Sequence, residues 1–205
     1  MNPMTRRHTW TRLACALSLG VAAFAAQADE GALYGPQAPK GSAFVRAYNA
    51  GNSELDVSVG SSDFKFLPPG SYTAQVGQQS LPVKLDPDSY YTLVSQPGGK
   101  PQLVAEPPFK NKQKALVRVQ NLSGSKLTLK TADGKTDVVK DVGPQSHGDR
   151  EINPVKVNLA LFDGSKKVSD LKPVTLARGE VVCLYVTGSG GKLAPVWVKR
   201  PVKAD

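Results

Sequence analysis

The chain has 205 residues, of which 21% are charged, and a formal net charge of +9. Two cysteines and two histidines are too few for a disulfide framework or for a zinc site with three or four such ligands. The basic residues are scattered and no nucleic-acid recognition motif is present, so a nucleic-acid partner is not expected.

The first 28 residues have the pattern of a secretory signal peptide. Three arginines, Arg6, Arg7 and Arg12, precede an apolar run at residues 13–25, and Ala26-Gln27-Ala28 is a small-x-small cleavage site. The run is shorter than the roughly 20 residues that a membrane-spanning helix needs. We therefore expect cleavage near Ala28/Asp29 and export. Loss of the three arginines lowers the net charge to +6, which favours acidic partners only modestly.

Residues 29–41 show no apolar period and are rich in glycine and proline, which predicts an irregular leader. Its Leu33 and Tyr34 could dock on a surface. From Ser42 the apolar residues recur every second position, and short alternating segments are separated by turn signals as far as residue 106. Seven short strands spaced in this way predict an antiparallel β-sandwich. The segment Tyr90 to Val94 is apolar on both faces, which favours a central strand.

The opening strand occurs twice. Ala43-Phe44-Val45-Arg46-Ala47-Tyr48-Asn49 aligns with Ala115-Leu116-Val117-Arg118-Val119-Gln120-Asn121 at a spacing of 72 positions. This period exceeds the roughly 20–50 residues of solenoid repeats and indicates two copies of one domain. The predicted fold is therefore all-β, with two tandem antiparallel β-sandwiches related by internal duplication. Residues 42–106 form the first domain, residues 107–114 a linker stiffened by two prolines, and residues 115–205 the second domain.

Several features of the second copy carry further expectations. The segment from Val155 to Leu161 alternates cleanly and predicts one strand, and no apolar stripe is long enough for a helix. Cys183 lies in an unbroken apolar strand, which favours a buried, inert thiol. Arg46 and Arg118 occupy the same position in the two opening strands, so a positive charge is repeated there. We expect them on the outward face of an edge strand, where a charge prevents edge-to-edge aggregation.

The residues that could do chemistry are few. His147 follows Ser146 in a polar loop, and adjacent loop residues point apart, so a catalytic triad is not expected. Asp86 and Asp88 flank a proline, a pattern more typical of a turn than of a calcium site. We predict no catalytic residue, cofactor or metal. Aromatic platforms for sugar rings remain an alternative, with these candidates: Tyr34, Tyr48, Tyr72, Tyr90, Tyr91 and Trp197.

Three stretches resemble one family. The leader and first strand, from Ala32-Leu33-Tyr34-Gly35-Pro36 to Asn49, together with Leu67-Pro68-Pro69-Gly70-Ser71-Tyr72 and Tyr90-Tyr91-Thr92-Leu93-Val94, are similar to AlgF, the alginate O-acetylation accessory family. The resemblance implies a periplasmic protein that is required for acetylating the mannuronate polymer. It also implies that the protein works with membrane-anchored and periplasmic acetyltransferases and has no catalytic centre of its own.

Three functional hypotheses follow. The first is a periplasmic adaptor that binds acetyltransferase proteins of an exopolysaccharide complex. The second is a carbohydrate-binding module that holds acidic polymer through lysines and exposed tyrosines, and the third is an enzyme that uses His147. For the adaptor we expect partner-binding residues in the leader and the linker, because exposed aromatic residues with a charged rim are typical of protein interfaces. The candidates are Tyr34, Pro36, Lys40, Phe109, Lys110, Lys112 and Lys114.

Overall fold

The computed structural model describes residues 38–200, apart from 49, 51–52, 56–57, 60–63, 96–98 and 190–191. Within that part of the chain all regular structure is β-strand, and no helix is long and apolar enough to cross a membrane. The first eight strands are β1 (Ala43–Tyr48), β2 (Ser53–Glu54), β3 (Ser58–Val59), β4 (Lys65–Leu67), β5 (Gly70–Val76), β6 (Gln79–Leu85), β7 (Tyr90–Val94) and β8 (Gln102–Ala105). The other ten are β9 (Ala115–Asn121), β10 (Leu127–Thr131), β11 (Asp137–Val142), β12 (Ser146–Ile152), β13 (Val155–Val157), β14 (Leu159–Asp163), β15 (Lys166–Asp170), β16 (Val174–Leu176), β17 (Val181–Ser189) and β18 (Lys192–Arg200).

Strands β1–β8 form the first sandwich. One sheet has the order β4-β1-β7-β8 and the other β3-β2-β5-β6, with the core between them. The period of two in the sequence explains the core, because every second residue of β1 faces inward, namely Ala43, Val45 and Ala47. The β7 strand lies between β1 and β8, so the prediction of a central strand is confirmed.

Strands β9–β18 form the second sandwich on the same plan. Its sheets have the orders β12-β9-β17-β18 and β11-β10-β14-β15. Each strand of the first sandwich therefore has a counterpart, and the second sandwich adds a two-stranded sheet of β13 and β16. In both copies the first strand also pairs in parallel with a later one: Phe44 lies opposite Tyr90, and Leu116 opposite Val181. All other strand pairs in the described part of the chain are antiparallel. The prediction of two duplicated sandwiches is thus confirmed at the level of strand order.

The single strand predicted from Val155 to Leu161 is wrong. The chain forms β13, which pairs with β16, and then β14, which pairs with β10 and β15. Val155 is 44% exposed, whereas Leu161 is fully buried in the core of the second sandwich. Two consecutive strands with the same alternation look like one strand in a sequence, and nothing in the pattern shows that the chain changes sheets at Asn158.

The two sandwiches pack against each other through the outer faces of the sheets that contain β1 and β9. An apolar cluster lies at this contact, with these buried members: Val94, Leu116, Leu122, Val181, Cys183 and Tyr185. Phe109 of the linker and Tyr48 of β1 pack against it, and the Tyr48 ring stacks on Tyr185 at 5.4 Å between centroids. Both faces of β7 and β17 are therefore covered, which explains why these strands are apolar throughout.

Candidate functional site

Arg46 does not lie at an exposed edge, and that prediction is wrong. Its strand, β1, runs between β4 and β7, and the residue is only 1% exposed. The side chain points away from the core of the first sandwich, as alternation requires, but the second sandwich covers that outer face. Sequence alternation shows which face a residue occupies and does not show what covers the face.

Glu106, the residue directly after β8, lies at the centre of a buried polar cluster between the sandwiches. Its Oε1 accepts hydrogen bonds from Arg46 Nη2 at 2.8 Å, Thr92 Oγ1 at 2.6 Å and the Tyr185 hydroxyl at 2.9 Å. Its Oε2 accepts a bond from Cys183 Sγ at 3.1 Å. Sequence reasoning missed this residue and treated it as the last position before the linker. The sequence feature that could have indicated Glu106 is an acid directly after an apolar strand, and this feature is a weak signal.

The cluster fixes the ionisation of its members. Burial would raise the pKa of Glu106, but the charge of Arg46 and the hydrogen bonds from Thr92, Cys183 and Arg46 outweigh it, so the pKa of the carboxyl is lowered. Burial and the adjacent Glu106 charge raise the pKa of the Cys183 thiol and the Tyr185 phenol well above their usual values. Glu106 is therefore ionised at neutral pH, and Cys183 is a protonated donor. The expectation that Cys183 is buried is confirmed.

The second arginine of the repeat takes an equivalent place. Arg118 is 7% exposed and donates to both carboxylate oxygens of Asp149, at 2.6 Å each. Its Nη1 also donates to the Ala105 carbonyl of the first sandwich at 3.1 Å, just as Arg46 Nη1 donates to the Lys199 carbonyl of the second at 2.7 Å. The edge-strand prediction is wrong for Arg118 too, because β9 lies between β12 and β17.

These two bonds show the symmetry of the contact. Ala105 pairs with Tyr91 in the first sandwich, and Lys199 pairs with Val182 at the matching place in the second. Equivalent arginines therefore donate across the contact to equivalent carbonyls. This reciprocity is the property of a two-fold interface between identical subunits, and here it occurs within one chain.

Arg200, the last residue of β18, completes the buried layer. It is 8% exposed, its guanidinium carbon lies 4.6 Å from the centroid of the Tyr90 ring, and its Nη2 donates to the Pro107 carbonyl at 2.7 Å. Its Nη1 is buried and has no hydrogen-bond partner. Burial lowers the pKa of the Arg200 guanidinium, although an arginine remains charged at neutral pH.

A cleft of about 800 Å³ opens beside this layer. Its walls come from the turn after β6, from the linker, and from Gly179 and Arg200 of the second sandwich. Its polar and aromatic lining residues are Asp86, Asp88, Ser89, Tyr90, Tyr91, Glu106, Phe109, Lys110, Asn111, Lys112 and Arg200. This volume lies within the range of about 300–1,000 Å³ that is typical of ligand pockets.

The cleft brings together three of the candidate residues from the sequence. Phe109, Lys110 and Lys112 line it, with both lysines exposed. Lys114 is exposed and lies instead at a smaller cavity, of about 340 Å³, in the second sandwich. Lys40 is exposed before β1 and is not a lining residue. Tyr34 and Pro36 lie outside the described residues, so their role stays a prediction.

Two other features bear on chemistry. His147 is exposed on β12, and the hydroxyl of its neighbour Ser146 donates to the Gly143 carbonyl at 2.7 Å, so these two do not face each other as nucleophile and base. Asp86 accepts a hydrogen bond from the Tyr91 hydroxyl at 3.3 Å. Among the described residues, no group of three or more His, Cys, Asp or Glu could hold a metal ion.

A family profile described as "Alginate O-acetyl transferase AlgF" matches residues 16–183 of the chain. The chain belongs to this family. It is 95% identical to "Alginate biosynthesis protein AlgF" of Pseudomonas aeruginosa, with all of both chains covered. The protein of the same name from Azotobacter vinelandii is 59% identical over 98% of this chain and all of its own length. The family resemblance seen in the sequence is therefore confirmed.

A solved structure also matches part of the chain. It is described as the N-terminal domain of AlgF from P. aeruginosa, is 79% identical, and covers 35% of this chain and all of its own, with a TM-score of 0.25.

Proposed function

We propose that the protein is a non-catalytic adaptor in alginate biosynthesis, where it binds acetyltransferase components during O-acetylation of the mannuronate polymer in the periplasm. The family description and the names of the relatives support the part in alginate biosynthesis and acetylation. The adaptor mechanism is our inference from the site.

The observation that carries the proposal is the cleft at the joint of the two sandwiches. Buried hydrogen bonds from Arg46 and Arg118 join the sandwiches, and the cleft at this joint has residues of both sandwiches and of the linker on its walls. A surface that combines aromatic and proline side chains with exposed lysines suits recognition of another protein.

The state of the nucleophiles supports a non-catalytic role. The Cys183 thiol is buried and held protonated, whereas a reactive cysteine needs exposure and a lowered pKa. His147 is exposed, and no described contact gives it an orienting acid. A His147→Ala variant should therefore restore full acetylation to a strain that lacks the native protein. Loss of acetylation with normal folding and partner binding would instead favour an enzyme.

The carbohydrate-binding alternative has one observation in its favour, the lysines at the rim of the cleft. Its weakness is that three of the candidate rings, Tyr48, Tyr90 and Tyr91, have no open face for a sugar. The Tyr90 ring has Phe44 stacked at 4.6 Å on one face and the Arg200 guanidinium over it. Tyr91 is 7% exposed, and Tyr48 is stacked on Tyr185. Sugar recognition of the usual kind, by stacking, is therefore not available at these three rings.

Periplasmic location remains part of the proposal and rests on the N-terminal sequence pattern. Mass spectrometry of the protein recovered from the periplasmic fraction should give an N-terminus at Asp29. Recovery of the uncut chain from the cytoplasm alone would contradict this location.

The central experiment is affinity capture by tagged full-length protein from the membrane and periplasmic fractions of alginate-producing cells. We expect mass spectrometry to identify acetyltransferase proteins of the alginate system. A Lys110→Glu variant, changed at the rim of the cleft, should recover much less of them than a Lys192→Glu variant, which carries the same change at an exposed site on β18. Failure of the unmodified protein to capture any acetyltransferase would contradict the adaptor function.

A further inference from the structure

Of the three buried arginines at the contact between the sandwiches, two are paired with a carboxylate. Arg46 pairs with Glu106 and Arg118 with Asp149. No ion pair in the described part of the chain joins Arg200 to a carboxylate. Its contacts are the Pro107 carbonyl and the Tyr90 ring, and its Nη1 has no acceptor. Buried charges are normally paired, so this arginine lacks one anion.

The duplication provides an internal comparison for this imbalance. In the first sandwich Glu106 lies opposite Tyr90. At the matching position of the second sandwich, Arg200 lies opposite Val181. One copy thus has an acid with both carboxylate oxygens engaged, and the other has a base with an unused donor. The fold does not require the charge, since the two copies differ in it. A role in binding accounts for an arginine that the fold leaves incompletely paired.

The surroundings of Arg200 indicate where the missing anion enters. The residue is on the wall of the cleft, together with Lys110, Lys112 and the apolar side of Phe109. The acids Asp86 and Asp88 belong to the turn after β6, and the third acid of the lining, Glu106, is already paired with Arg46. A carboxylate that reaches Arg200 gains a charge-assisted hydrogen bond to Nη1, the donor that has no acceptor.

We propose that the cleft binds an acidic side chain of a partner protein, with its carboxylate on the Arg200 guanidinium. This inference rests on the adaptor function and names the chemistry of its contact. A polypeptide fits better than an acidic sugar because Tyr90 offers no free face for ring stacking, whereas Pro107, Pro108 and Phe109 offer an apolar wall to a neighbouring side chain. Nη1 is buried in the unbound protein, so the Arg200 side chain or the residues around it must shift when the carboxylate binds.

A titration of the isotope-labelled full chain tests the site directly. The probe is hexaglutamate peptide, followed by NMR, with hexamannuronate of equal charge as the second arm. We expect hexaglutamate to shift the backbone amides of the non-proline residues in 86–91 and 106–112 and of residue 200, with an affinity that falls as salt rises. Shifts spread over the other lysine-bearing surfaces, or none in the cleft, would overturn the proposal. Tighter binding of hexamannuronate to these same amides would also overturn it in favour of the polymer.

Variants separate this contact from the adaptor function as a whole. Arg200→Gln keeps a donor for the Pro107 carbonyl but removes the charge, and should weaken hexaglutamate binding and capture of acetyltransferases by about ten- to a hundredfold. Arg200→Lys should recover part of the loss, and Lys192→Gln, an equal charge change on the same strand, should have no effect. If Arg200→Gln fails to fold, Lys110→Glu provides the same test at the rim.

The outcomes for the two proposals differ. Capture by Arg200→Gln and Lys110→Glu at the level of the unmodified protein would overturn the carboxylate site while the adaptor function stands. Absence of capture by the unmodified protein would contradict the adaptor function itself.

Discussion

Glu106 is the residue on which the contact between the sandwiches depends most. It accepts four hydrogen bonds, and its ion-pair partner Arg46 is as deeply buried as the acid itself. Removing one member of such a pair leaves an uncompensated charge in a low-dielectric interior, which is more costly than the pair itself is stabilising. Loss of Glu106 should therefore cost more stability than the ion pair itself contributes.

A Glu106→Ala variant should lower the free energy of unfolding by about 3–5 kcal/mol, because Arg46 is left buried without its anion. The matched control is Glu151→Ala, an exposed acid on β12 whose bond to Asn111 lies at the surface and whose loss should cost less than about 0.5 kcal/mol. Urea unfolding of the three proteins measures both changes. Equal costs for the two variants would show that the buried pair does not hold the sandwiches.

The lowered pKa of Glu106 predicts the direction of a pH effect. A carboxyl with a lower pKa in the folded chain binds fewer protons there than in the unfolded chain, so its contribution to stability is complete above the unfolded value of about 4.3. That contribution is lost as the pH falls through the lower, folded pKa. The unmodified protein should therefore lose more stability on acidification below about pH 5 than Glu106→Gln does. An equal loss of stability with falling pH in the two proteins would contradict the lowered pKa of Glu106.

The thiol of Cys183 should be inert for two physical reasons: the side chain is 1% exposed, and its proton is held by Glu106. For the chain that starts at Asp29, which lacks Cys15, we expect no reaction with a thiol reagent at pH 8 when folded and one equivalent of reaction after unfolding in urea. Rapid labelling of the folded protein would contradict the described burial of β17.

At the scale of strands, alternation in the sequence predicted the sandwich plan, and the repeat predicted that it occurs twice. Both follow from local physics, because one face of each strand must be apolar to bury a core. The parallel pairing of β1 with β7, and the change of sheet between β13 and β14, depend on contacts between distant segments and left no mark in the pattern.

The residues of the candidate site divide in the same way, into those that the local sequence indicates and those that depend on contacts between distant segments. The linker residues Phe109, Lys110 and Lys112 could be selected from composition, because an aromatic residue among lysines is typical of an exposed contact. Glu106 and Arg200 could not, because their importance comes from neighbours contributed by the other sandwich. Arg46 was misplaced for the same reason: a charge on an alternating strand is usually exposed, and here a second copy of the fold covers it.

Gly148 lies where β12 packs against β11, and its substitution tests how tightly the second sandwich is packed there. A methyl group at Gly148 would lie 2.7 Å from Val139 Cγ1 and 3.0 Å from Val142 Cγ2, and both are branched side chains with little freedom to move. Gly148→Ala should therefore cost about 1–3 kcal/mol of stability through overpacking. Gly124→Ala, where the methyl would meet nothing within 4 Å, is the control and should be nearly neutral by thermal unfolding. A neutral Gly148→Ala would mean that β11 has room to shift.

For the whole molecule, the main consequence of the duplicated contact is that two separate cores should unfold together. Each sandwich has its own buried cluster, and a third cluster and the bonds from both arginines connect them. Domains joined only by a flexible linker unfold independently, whereas a large apolar contact couples them. Separation would leave Arg46, Glu106 and Tyr185 facing water without the partners that the other sandwich supplies.

Calorimetry of the full chain should therefore show one transition, with a calorimetric enthalpy equal to the van't Hoff enthalpy. Leu116→Asp places a charge in the contact without touching either core, and should divide the transition into two. Leu129→Ala, which opens a cavity inside the second core, should destabilise by about 2–5 kcal/mol yet leave one transition. Two transitions in the unmodified protein would mean that the sandwiches are thermodynamically independent. The hydrogen bonds from the buried arginines would then position the two sandwiches around the cleft without making them unfold together.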